Sequence, residues 1–112
     1  MLNLSIILFA IAAALGLTIL LKWLTKKDAP RGVIYSHGIV AASALVILIA
    51  YAVQHPESFP KASIILFVIA AVAGFYMFIN DLKKKPSPIA IAFIHALVAI
   101  AGVVCLLLFT LA

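Results

Sequence analysis

Four long apolar runs, at about Leu2–Leu21, Val33–Val53, Ala62–Ile79 and Ile89–Leu111, make up almost the whole chain. Each is close to the roughly 20 residues that a helix needs to cross the hydrocarbon of a bilayer. Only short stretches carrying proline and charge separate them, so no residues remain from which a soluble domain could be built. With 112 residues, 68% hydrophobic and 10% charged, the chain also lacks the polar side chains that a small water-soluble globule needs over its large relative surface. These features predict an all-α integral membrane protein, with residues 1–112 as a single membrane domain.

The first run is read as a spanning helix and not as a cleaved leader. It has no basic leader, its apolar core is too long, and its Ser5-Ile6-Ile7-Leu8-Phe9 recurs as Ser63-Ile64-Ile65-Leu66-Phe67. Helix 1 is expected from about residue 3 to Trp23, helix 2 over about Val33–Val53, helix 3 over about Lys61–Leu82 and, after the loop Lys83–Pro88, helix 4 to the C-terminus. Pro30, Pro56, Pro60, Pro86 and Pro88 punctuate the connections. Seven of the eight basic residues lie in or beside the loops joining helix 1 to 2 and helix 3 to 4. The positive-inside rule then places those loops in the cytoplasm and both termini outside, as in a bacterial inner membrane. The net charge of +5 points to topology and anionic lipid, and no nucleic acid is expected, because the lysines lack the interleaved aromatics of a nucleic-acid groove.

Sliding the sequence on itself by 58 residues aligns 5–54 with 63–112 without a gap, and 18 of those 50 pairs are identical. Chance in so biased a composition gives roughly a tenth. The chain therefore reads as two tandem two-helix repeats. Two helices per repeat is an even number, so both copies run the same way through the membrane, related by a pseudo-twofold axis along its normal. Short connections make sequence neighbours antiparallel neighbours, giving an up-down-up-down four-helix bundle with helix 2 diagonal to helix 4.

The repeat carries one histidine twice. Tyr35-Ser36-His37-Gly38 corresponds to Phe93-Ile94-His95-Ala96, and each histidine follows its repeat's proline by seven residues, which puts both at one depth. On helix 2 the positions three, four, seven and eleven beyond His37 are Val40, Ala41, Ala44 and Leu48. On helix 4 they are Val98, Ala99, Gly102 and Leu106, three of the four identical. These offsets share one helical face. Helices 1 and 3 retain a stripe of Ser5, Phe9, Ala12, Ala13, Gly16 and Leu24, repeated as Ser63, Phe67, Ala70, Ala71, Gly74 and Leu82. The retained faces are expected inside the bundle, and drifting positions such as Ile47 against Cys105, or Ile39 against Leu97, are expected to face lipid.

Small residues on membrane helices serve close packing, but an ionisable side chain at membrane depth is costly and marks a functional site by default. Two imidazoles facing each other across a bundle suit axial ligation of a haem, because the porphyrin supplies the remaining coordination. The expectation is haem b held by His37 and His95. Gly16, Gly38, Gly74, Ala41, Ala96 and Ala99 would give the ring room, and Arg31 or Tyr35 would meet its propionates. As an architecture this resembles the membrane four-helix bundle of b-type cytochromes, which implies electron transport with a redox partner or quinone. The alternative is a small transporter or channel for protons, metal or a small molecule, or a structural subunit of a membrane complex; a homo-oligomer is compatible with each. A protein-only zinc or copper site would leave half its shell empty. Cys105 is ten residues beyond His95 and cannot join the site, His55 reads as an interfacial polar residue, and no hydrolytic constellation is visible.

Overall fold

The computed structural model describes residues 1–112 and contains four helices and no strand: α1 (Leu2–Leu24), α2 (Arg31–Gln54), α3 (Lys61–Leu82) and α4 (Ile89–Leu111). Each is long and apolar enough to span a membrane. The helices at 22 to 24 residues run the full length of the expected spans, with α2 starting two residues before the apolar run because Pro30 fixes the backbone just ahead of Arg31. Pro60 and Pro88 start α3 and α4 in the same way.

The ends of α1 and α3 are built alike. Lys27 N–H donates to Lys22 O and Lys26 N–H to Trp23 O, while Lys85 N–H donates to Asn80 O and Lys84 N–H to Asp81 O. This pair of crossed bonds closes each last turn and requires a left-handed residue at its centre, here Lys26 at φ 59° and Lys84 at φ 56°. Neither position is the glycine that such an end usually carries.

α1 packs along α2, and α3 along α4, far more extensively than the two hairpins pack on each other. The hairpins meet where α1 approaches α4 and α2 approaches α3, which leaves α1 diagonal to α3 and α2 diagonal to α4. The bundle measures 44 × 23 × 20 Å.

Only 15 of 112 residues are buried, and large apolar side chains such as Ile39, Val53, Val72 and Leu111 point outward on every helix. Such a surface needs an apolar surrounding, the mark of a membrane protein. Outside the core, the hydroxyls of Thr18, Thr25, Ser43 and Thr110 each donate to a carbonyl of their own preceding turn.

Twelve of the fifteen buried residues fall into six pairs at equivalent positions of the two hairpins: Ser5 and Ser63, Phe9 and Phe67, Ala12 and Ala70, Ile19 and Met77, Ala44 and Gly102, Leu48 and Leu106. Four inward assignments are corrected. Ala13, Ala71, Leu24 and Leu82 are exposed, because a stripe wide enough to hold both Ala12 and Ala13 exceeds the narrow face that each helix buries. Ile47 and Cys105 do not face lipid fully but are half-buried. Ile19 and Met77 belong to the core although their identities differ between the halves.

Candidate functional site

α2 and α4 bring His37 and His95 to the same level, about two turns in from the proline that starts each helix. The imidazoles face each other across the interface between the hairpins, with ring centroids 6.2 Å apart and planes at 74°.

Each ring is oriented by its own hairpin. Nδ1 of His37 lies 2.8 Å from the carbonyl oxygen of Ala12, and Nδ1 of His95 lies 2.7 Å from that of Ala70. A carbonyl can only accept, so both rings carry a proton on Nδ1, and in the neutral imidazole Nε2 is left with a free lone pair. A histidine that ligates a metal through one nitrogen holds its other N–H on a carbonyl in this manner.

Glycine makes the approach possible. The carbonyl of Ala12 also accepts the helical bond from Gly16, so the ring reaches it over the helix surface at Gly16. A Cβ there would lie 2.9 Å from His37 Cε1, and one at Gly74 would lie 3.0 Å from His95 Cε1. Gly16 and Gly74 therefore lie directly against the imidazoles.

Beyond the histidines, away from the basic loops, come buried Ala12 and Ala70 and half-buried Ala41 and Ala99. Phe9 and Phe67 then stack across the axis, centroids 3.9 Å apart and planes at 7°. Phe67 lies so close on Gly102 that a Cβ there would be 2.9 Å from its ring. Gly102 is seven residues from His95, so the stack sits about 10 Å from the histidine layer. Fully buried Leu48 and Leu106 close the core on that side, and Ile19 and Met77 close it toward the loops.

The remaining candidates are dispersed. Ala96 is half-buried, whereas Gly38 is exposed with nothing within 4 Å of a Cβ built on it. Tyr35 is 44% exposed and meets Phe78 of α3 edge-on at 5.9 Å. Arg31 forms the chain's ion pair with Asp81, across the two hairpins. The sequence did not signal Asp81 or Phe78 as part of this neighbourhood, because neither is repeated in the first hairpin. The Ala12 and Ala70 carbonyls were traceable only through the alanine–glycine spacing of four that both halves retain.

No group of three or more His, Cys, Asp or Glu converges anywhere. His55 stacks on Tyr51 at 4.1 Å and bonds through Nδ1 to the Tyr51 carbonyl, 3.0 Å away. The fold and site define a four-helix protein, apolar enough for a membrane, in which each of two hairpins presents one oriented imidazole to the other. Compared with models of known protein families, with curated proteins and with solved structures, the chain matches none.

Proposed function

We propose that this is a small integral membrane protein of the b-type cytochrome kind, which holds one haem between its hairpins through His37 and His95 and relays electrons. The observation that carries the reading is the imidazole pair, 6.2 Å between centroids, each ring fixed through Nδ1 on a carbonyl of its own hairpin. Two metal–nitrogen bonds of about 2 Å, with about 1 Å more from each Nε2 to its ring centre, give about 6 Å. Two imidazoles at this spacing would be able to hold one iron between their Nε2 atoms. The alanine layer offers small side chains at the macrocycle's level, and the hairpins must part to admit it, because their interface is closed at the Phe9–Phe67 stack.

When bound, such a haem supplies a one-electron couple with no open coordination position. The residues' work is to bind and orient. His37 and His95 would contribute Nε2, the Ala12 and Ala70 carbonyls hold the rings in one tautomer, and Ile19, Met77, Phe9 and Phe67 keep water away on either side. In this reading the two halves are tandem repeats, the basic loops face the cytoplasm of a bacterial inner membrane, and the termini face outward. The partners are membrane lipid and an outer-sphere redox partner or quinone.

The test is spectroscopic. Protein purified in detergent and given haemin should show one haem per chain with a six-coordinate low-spin spectrum and, when reduced, little or no carbon monoxide binding. His37→Ala and His95→Ala should each abolish the low-spin form. Two single variants that kept an unaltered low-spin spectrum would refute the ligand assignment.

A further inference from the structure

The two seams between the hairpins differ. On the α2–α3 side, Arg31 and Tyr35, one turn apart on α2, meet Asp81 and Phe78, one turn apart on α3. Tyr35 is two residues from His37 and Phe78 is four from Gly74, so the aromatic contact flanks the histidine layer and the ion pair sits one turn nearer the loops. At the equivalent positions of the α1–α4 seam stand Leu20, Trp23, Ile89 and Phe93, which form no ion pair. One seam thus carries only apolar side chains at these positions, and the other is bridged by an ion pair and an aromatic contact that are partly exposed.

From this asymmetry we infer that the α2–α3 seam is the entrance to the histidine pair and that Arg31–Asp81 is its exchangeable latch: a carboxylate of the incoming planar ligand takes the Arg31 guanidinium from Asp81. The inference deepens the haem reading and rests on it for the identity of the ligand. The chemistry is that of one cation and two competing carboxylates. A guanidinium binds either with the same geometry, so the exchange keeps Arg31 paired while the hairpins move apart. Asp81 is the less exposed partner, with 28% of its side chain accessible against 47% for Arg31, so Arg31 is the half that can swing. Tyr35 and Phe78 touch only edge-on and separate without breaking a hydrogen bond.

The experiment uses the full chain in detergent with two probes. Nitroxide labels at Gly32→Cys and Leu82→Cys, with Cys105→Ala, report the seam by pulsed electron paramagnetic resonance without any ligand. Both labelling positions are exposed. The label distances should be narrowly distributed in the parent and broadened by Asp81→Asn. Haemin and its dimethyl ester, in which both carboxylates are blocked, then test the exchange. Asp81→Asn should speed haemin uptake by roughly two- to five-fold, the range that a half-exposed ion pair supports. The parent should retain haemin better than the ester, and Arg31→Gln should erase that preference. An unchanged distance distribution in Asp81→Asn, or a preference that survives Arg31→Gln, overturns the latch. A parent that takes up neither probe refutes the haem reading, while the ligand-free distances still judge the latch by themselves.

Discussion

Ser5 and Ser63 occupy the same position in the two hairpins and are equally buried, yet only Ser5 is satisfied: its Oγ donates to the Ala44 carbonyl at 3.0 Å, whereas Ser63 Oγ has no partner. A hydrogen bond of this kind stabilises by about 1 kcal/mol, while a buried hydroxyl without one is a cost that removal relieves. Ser5→Ala should therefore destabilise the protein by about 1 kcal/mol, and Ser63→Ala should be neutral or stabilising. Chemical unfolding of both variants in detergent separates the two outcomes. The glycines under the histidines are the other place where one atom decides. Gly16→Ala and Gly74→Ala put a methyl at 2.9 and 3.0 Å from the imidazoles, so each ring must shift against its carbonyl. The expected result is a shifted or weakened low-spin haem spectrum with helix content by circular dichroism unchanged; an unaltered spectrum would mean that the carbonyl bond does not position the ligand.

At the scale of the helix, α1 and α3 end with a lysine in the left-handed region, Lys26 and Lys84. A side chain there costs about 1 kcal/mol that glycine does not incur. The lysines are retained in both halves against that cost, in keeping with the charge at this end of the bundle. Lys26→Gly and Lys84→Gly should each stabilise by about 0.5–1 kcal/mol and, being on separate helices, should add. Thermal unfolding of the single and double variants measures it. The helix starts need no such compromise, because Pro30, Pro60 and Pro88 set the backbone ahead of them without losing a donor that any helix would have used.

For the whole molecule, charge is the feature that breaks the symmetry between its ends. Seven basic residues stand with Asp28 and Asp81 at the end where α1 meets α2 and α3 meets α4, while Lys61 offsets Glu57 at the other, so the entire net charge of +5 lies at one end. A bilayer should hold that end in the cytoplasm. A reporter active only in the cytoplasm and fused after Ala112 should be silent, and the same reporter inserted in the 26–28 loop should be active. The histidine layer lies nearer this basic end, so under the haem reading a redox partner would reach it from the side of the basic loops.

Helix number, helix position and the equal depth of the two histidines were legible in the sequence, because in an apolar solvent a run's length and its flanking prolines and charges are enough to define a spanning helix. α3 and α4 run over Lys61–Leu82 and Ile89–Leu111 as expected. Which face turns inward was legible only by comparing the two halves of the sequence. Hydrophobicity carries no such signal here: Ile39 is 68% exposed and Leu48 wholly buried, and both are large aliphatic residues on α2. The inferred stripe was accordingly too wide. The orientation of each imidazole, the glycine that admits it and the capture of Arg31 by Asp81 depended on the distance between elements far apart in the chain. A carbonyl at Ala12 or a carboxylate at Asp81 has no sequence mark that ties it to His37 or Arg31, and only the packing of one helix against another sets those pairs within bonding reach.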